Sequence, residues 1–303
     1  MFNIGYRMRI SLSAPFSCPP SLPVQIPSLM EAHFWYLIPG EIKDRCLLNQ
    51  YMGILSPCEK DYVLSINERN QQKIALLSRS LARTTLARYY AGQNLHPKSL
   101  KIKKNNYGKP ELESEHNGFQ LHFNISHTSS LIACGISSNS LIGIDVEEKE
   151  RQIKSDVLSL AHRYFSHQEV NHLQNLSNPD NRRQEFIKLW TLKEAFVKAL
   201  GTGFSAMPFK TFTIHLKAKS TEVYEQYEIV ADPPEHLEPS RRKWDLVLIE
   251  LEGKHYVSIC RERDEHSDEC MKFSVRKTIP FVHDEVISCS DRVKRIGCTP
   301  MKF

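Results

Sequence analysis

Asp145 and Glu147 stand two residues apart in the run Gly143-Ile144-Asp145-Val146-Glu147. On an extended chain alternate side chains leave by opposite faces, so the two acids share one face and Ile144 and Val146 point the other way, toward a core. Neighbouring carboxylates repel and each favours a cation between them. Hard oxygen donors so arranged suit magnesium. A solvated sheet edge is the other reading, and Glu148, Lys149 and Glu150 beside the run keep it open. In Leu189-Trp190-Thr191-Leu192-Lys193-Glu194-Ala195-Phe196-Val197-Lys198, a helix would put Trp190, Glu194 and Lys198 on one ridge at i, i+4 and i+8. An aromatic, an acid and a base in line can fence a ligand, hold a metal and protonate a leaving group; a surface Glu–Lys pair is the plainer alternative. Asn124-Ile125-Ser126-His127-Thr128 would end a strand in short polar groups that suit a phosphate, or a turn bonded to its own backbone. Ser126 and His127 do not read as nucleophile and base, because adjacent residues of a strand point apart and no Gly-x-Ser-x-Gly surrounds the serine. Tyr107-Gly108-Lys109-Pro110 reads as a turn that presents a lysine.

The elements that must position these groups are legible around them. A strand is expected over 33–38. Ser56-Pro57-Cys58-Glu59 has the form of a capping box, with Pro at the first helical position. A long helix is expected over 71–90, with Ile74, Leu77, Leu81 and Thr85 on one stripe and Lys73, Arg79 and Arg83 off it. Strands are expected over 100–103, 121–125, 131–136 and 141–146. The order then repeats. A second capping box, Ser166-His167-Gln168-Glu169, opens the second half as Ser56-Pro57-Cys58-Glu59 opens the first. A long helix is expected over 183–200, stopped by Gly201, followed by strands over 209–215, 223–230, 244–251 and 255–260. Helices followed by antiparallel strands, twice, imply an α+β fold of two similar halves. The boundaries expected are a leader over 1–30, halves over 31–140 and 141–288, and a polar tail over 289–303.

With 303 residues, 41% hydrophobic and 25% charged, the chain has the composition of an ordinary globular protein. No apolar run reaches the length of a membrane span. A net charge of +5 favours anionic partners such as a nucleotide or an acidic protein, and is too small to point to nucleic acid by itself. Eight cysteines lie without a Cys-x-x-Cys pair or a regular spacing, so neither a zinc site nor a disulfide frame is expected. The stretch from Met1 to Met30 is rich in proline and serine, carries Arg7 and Arg9, and has no acid. Such a segment suits import into a mitochondrion or plastid, or reads as a disordered leader; without import the expected location is the cytoplasm.

Taken in order, Gly108-Lys109-Pro110, Asn124-Ile125-Ser126-His127, Gly143-Ile144-Asp145-Val146-Glu147 and Trp190–Lys198 resemble the motifs of the Sfp-type 4′-phosphopantetheinyl transferases. The resemblance covers roughly residues 34 to 286. It implies a pseudo-twofold pair of α+β halves with the site between them. It also implies transfer of 4′-phosphopantetheine from coenzyme A to a serine of an apo-acyl or peptidyl carrier protein, with release of adenosine 3′,5′-bisphosphate. Asp145, Glu147 and Glu194 would then hold magnesium against the pyrophosphate. Glu194 would take the serine proton and Lys198 would neutralise and protonate the leaving group. Ser126 and His127 would contact phosphate at the nucleotide end, Lys109 would flank the nucleotide, and Lys73, Arg79 and Arg83 would add phosphate contacts. The implied partners are coenzyme A and an acidic carrier, with no nucleic acid and no membrane, and the protein is expected to be a monomer. Two alternatives stand beside this. A metal-dependent nuclease would use Glu147-Glu148-Lys149, but it wants another acid upstream and no Asp occurs between Asp61 and Asp145. A non-catalytic carrier-binding relative would be favoured by loss of an acid, and all three acids are present.

Overall fold

Alternation along the first strand already separates two cores. In the computed structural model, which describes residues 31–90, 95–113, 120–221, 224–232, 242–263, 271–287 and 292–300, β1 (Glu31–Leu37) sends Trp35 and Leu37 to one side and Phe34 and Tyr36 to the other. The leader over 1–30 lies outside the described residues.

Three helices follow: α1 (Arg45–Ile54), α2 (Pro57–Ser65) and α3 (Arg69–Arg88). The expected capping box opens α2, with Ser56 N donating to Glu59 at 2.8 Å. The hairpin β2 (Ile102–Lys104) and β3 (Pro110–Leu112) leads to β4 (Leu121–His127), β5 (Ile132–Ser138) and β6 (Ile142–Glu148). The second set of helices is α4 (Val157–Tyr164), α5 (His167–Gln174), α6 (Pro179–Leu200) and the short α7 (Gly203–Ala206). Ser166 and Glu169 cap α5 as expected, and Gly201 ends α6 at φ 70°. The strands after them are β7 (Thr213–Thr221), β8 (Tyr224–Asp232), β9 (Trp244–Leu251), β10 (His255–Glu262), β11 (Lys272–Ile279), β12 (His283–Val286) and β13 (Val293–Pro300).

Two sheets result, ordered β12-β11-β1-β5-β4 and β6-β10-β9-β13-β8-β7. They share an apolar layer made of Phe34, Tyr36, Ile144, Val146, Val247, Ile249, Val257 and Ile259. Each sheet carries its own helices and core on its far side: Trp35, Leu37 and Leu77 belong to the first, Phe196, Trp244 and Leu246 to the second. The architecture is α+β in two similar halves.

Three features differ from the sequence reading. Residues 272–286 lie beyond the expected boundary at 140/141 yet complete the first sheet, where β11 runs parallel to β1. Residues 293–300, expected to be polar tail, form β13 between β8 and β9. A register shift between Arg295 and Gly297 breaks the period-two pattern there, so its apolar residues do not alternate and the run reads as tail. The strand expected over 209–215 begins instead as a 3-10 turn, Phe209–Thr211, before β7.

Candidate active site

α6 lies unusually close to β6. A Cβ on Gly143 would fall 2.1 Å from the backbone O of Ala195 and 2.2 Å from the backbone N of Ala199. Only a residue without a side chain lets the helix cross there, and that crossing brings α6 against the polar face of β6. Asp145 and Glu147 of β6 thus meet Trp190, Glu194 and Lys198 of α6, together with Ser126 and His127 at the end of β4, around a pocket of about 280 Å³. The i, i+4, i+8 ridge is the half-exposed stripe of a helix whose other faces are buried.

β4 and β6 belong to different sheets, and side chains stitch them. Asn124 Oδ1 accepts from Ile144 N at 2.9 Å, and Ser126 Oγ accepts from Val146 N at 3.3 Å. Ser126 Oγ also donates to Asp145 Oδ1 at 2.9 Å, and Lys198 Nζ donates to the same carboxylate oxygen at 2.6 Å and to Ser126 Oγ at 3.2 Å. Arg151 Nη1 donates to Glu147 Oε1 at 2.5 Å.

The acids remain under-compensated. Asp145 Oδ2 is buried without a hydrogen-bond partner. Burial, then the charge of Asp145, pushes the Glu147 carboxyl up to about 7. Burial likewise raises Glu194, against the pull of Lys198. For Lys198 burial works to lower the pKa, but Asp145, Glu194 and Glu147 outweigh it and the net shift is upward, so the ammonium stays charged. Burial lowers His127, with the Lys198 and Arg79 charges acting the same way, and the imidazole is neutral near pH 7.

The pocket has a larger neighbour. A groove of about 1420 Å³ runs between α2, α3 and the β2–β3–β4 edge, and Ile125 and His127 line both spaces. Lys73, Arg79, Lys103 and Lys104 line it, and the Arg79 guanidinium lies 4.3 Å over the ring of Tyr62.

Comparison with known proteins follows the same division. Residues 141–260 match the family described as the 4′-phosphopantetheinyl transferase superfamily, and residues 44–139 match the one described as 4′-phosphopantetheinyl transferase, N-terminal. Each half of the chain thus matches a 4′-phosphopantetheinyl transferase family. Among its relatives are 4′-phosphopantetheinyl transferases of Aneurinibacillus migulanus, 34% identical over 49% of this chain and 58% of that one, and of Bacillus subtilis, 35% identical over 47% and 58%. A further Bacillus subtilis 4′-phosphopantetheinyl transferase is 27% identical over 75% of this chain and 90% of its own. The chain thus matches less than two thirds of the length of the first two relatives.

In this transferase fold not every expected site residue reaches the site. Asp145, Glu147, Glu194, Lys198, Ser126 and His127 converge. Ser126, however, spends its proton on Asp145 and its lone pairs on Val146 N and Lys198, so it belongs to the acid centre and has no capacity left for a phosphate. Arg83 is 2% exposed; it pairs with Glu59 at 2.7 Å and donates to the carbonyls of Pro97 and Leu100. It is a packing residue, because α3 turns that side toward the chain that follows it. Lys109 Nζ donates to the carbonyls of Ile142 and Ala199, tying its turn to β6 and the end of α6, and burial pushes it down to about 8. It lines neither space. Lys73 lines the groove while donating to Pro39 O at 2.8 Å. Sequence reasoning missed Arg151, whose one signal is its place four residues after Glu147, and Tyr62, which carries no signal.

The fit of a divalent cation can be judged from the donors. The orphaned Asp145 oxygen and the raised carboxyls of Glu147 and Glu194 suit a hard cation with oxygen preference. Among the described residues no three His, Cys, Asp or Glu donors already stand around one point. Co-substrate oxygens would have to complete the shell, which is how magnesium is commonly held.

Proposed function

We propose that this protein is a holo-carrier-protein synthase that moves 4′-phosphopantetheine from coenzyme A to a serine of an apo-carrier protein, releasing adenosine 3′,5′-bisphosphate. The observation that carries the reading is the meeting of Asp145, Glu147, Glu194 and Lys198 in one pocket that shares His127 with an adjoining basic groove. The groove accommodates the nucleotide end, with Arg79, Lys73 and neutral His127 as donors to its phosphates and the Tyr62 ring as an apolar face. Magnesium, held by Asp145, Glu147 and Glu194, would neutralise the pyrophosphate.

This chain's own residues do the rest. Glu194, its carboxyl raised by burial, accepts the proton of the incoming serine hydroxyl more readily than an ordinary glutamate. Lys198, charged and fixed by Asp145 and Ser126, offsets the charge that develops on the leaving phosphate and donates to it. Trp190, braced edge-on by Tyr164 and Phe209 at 5.5 and 5.2 Å, walls the pocket and limits water. The net charge of +5 suits an acidic carrier.

The test is incubation with coenzyme A, magnesium and a panel of apo-carrier proteins, read by mass spectrometry. A carrier heavier by one phosphopantetheine arm is expected. A folded protein that leaves every carrier unmodified refutes the reading.

A further inference from the structure

Two internal cations already sit on the acid pair, and they are held differently. Lys198 leans on Asp145 Oδ1 and Ser126, and its side chain is 29% exposed. Asp145 keeps its second oxygen buried and free, so a metal ion can bind there without evicting the lysine. Arg151 pairs with Glu147 Oε1 at 2.5 Å; its side chain is 47% exposed against 16% for the glutamate. Its backbone is fixed, since Arg151 N donates to Glu148 O at 3.0 Å and the loop before it is pinned by Arg183, which donates to Lys149 O and to Glu150. Its guanidinium lies 5.9 Å over the ring of Trp190 at the pocket. A long, half-exposed side chain on a fixed backbone, paired with a part-buried acid, can swing out without moving the fold.

We propose that Arg151 is the resident counter-ion of Glu147, displaced when a divalent cation enters the acid pocket. It is a positioning residue: it keeps Glu147 neutralised and aimed in the metal-free protein, and it sets how strongly the cation must compete for that oxygen. This rests on the metal assignment proposed above and adds to it the residue that the cation replaces. It also accounts for the absence of a ready three-donor cluster among the described residues, because Glu147 is aimed at Arg151.

The experiment measures binding of Mn²⁺ alone, by the electron paramagnetic resonance signal of free ion, to the full chain and three variants. Arg151→Gln removes the competitor and is expected to tighten Mn²⁺ by about three- to fivefold, the range set by a half-exposed ion pair. Arg151→Lys keeps a competing charge and should stay near the parent. Arg163→Gln removes a charge that stacks on Tyr164 at 5.1 Å, beside Trp190 but in no ion pair with the acids, and should change affinity less than twofold. In parallel, Mg²⁺ should shift the emission of Trp190, the half-exposed tryptophan beside the pocket, in the parent and not in Arg151→Gln; Trp35 and Trp244 are buried elsewhere. Unchanged or weaker Mn²⁺ binding by Arg151→Gln, or equal tightening by Arg163→Gln, overturns the proposal while leaving the metal assignment in place. A parent protein that binds no Mn²⁺, either alone or with coenzyme A present, overturns both.

Discussion

The two halves solve one packing problem with the same device and then diverge. In the first, the capping-box acid Glu59 is paired by Arg83 of α3 at 2.7 Å; in the second, Glu169 is paired by Lys193 of α6 at 2.8 Å. The step along the chain from Glu59 to Arg83 equals that from Glu169 to Lys193, and the offset from Ser56 to Ser166 carries the first pair onto the second. Carried further, the same offset sets Trp35 of β1 against Asp145 of β6, and Arg88 of α3 against Lys198 of α6. These counterparts also meet: Arg88 lies 4.9 Å over the Trp35 ring and pairs with Asp284, where Lys198 lies 2.6 Å from Asp145. One helix-on-strand crossing thus serves as core in one half and as an acid pocket in the other. The frame tolerates either because the crossing is fixed by buried neighbours, and only the residue on the strand decides whether the helix cation meets an aromatic ring or a carboxylate.

Substitution at the two crossings should separate the two uses most sharply. Glu194→Ala is expected to lower carrier modification by about a hundredfold or more with no loss of melting temperature, since it relieves a crowded acidic site. Trp35→Ala should cost about 3–5 kcal/mol in urea unfolding while the folded fraction keeps its activity. If Trp35→Ala abolished activity in fully folded protein, the division between core and site would fail. The shared device gives the next largest effect. Arg83→Met and Lys193→Met each strand a capping-box acid, and each should destabilise by about 3 kcal/mol. Arg83→Met should leave coenzyme A affinity unchanged, which checks that Arg83 is a packing residue.

At the seam between the halves, His127→Ala should weaken coenzyme A about tenfold, and 3′-dephospho-coenzyme A by much less. Equal losses in calorimetric titration would remove His127 from the terminal phosphate. The smallest effect concerns Lys109, which bridges the halves. Its folded pKa of about 8 lies below the unfolded value, so between pH 8 and about 10 the unfolded chain binds more protons and stability from this residue rises with pH. The stability difference between the parent and Lys109→Met should therefore move in the parent's favour over that window. A difference flat with pH would mean the lysine titrates normally.

Much of this was legible in local sequence. Both capping boxes, the Gly201 stop and the strands at 244–251 and 255–260 obey short-range rules, and the i, i+2 acids and the i, i+4, i+8 ridge follow from backbone periodicity. The sequence also carried the repeat, since the capping boxes at Ser56 and Ser166 are visible without coordinates. β13 was hidden by its bulge, and β11 joins the first sheet from far along the chain, a pairing that local pattern does not specify.

For the site, residue type and spacing determined that Asp145, Glu147, Glu194 and Lys198 could share one chemistry. Tertiary structure decided which basic residues attend them. Arg83, Lys109 and Arg79 read alike in sequence, as cations on a helix or turn. The fold satisfied Arg83 and Lys109 with buried carbonyls and left Arg79 facing the groove, because a buried cation must be paired wherever the packing places it. Spacing says which side chains leave by the same face; only the three-dimensional neighbours say whether that face meets solvent, a carbonyl or a carboxylate, and so Arg151 became part of the site.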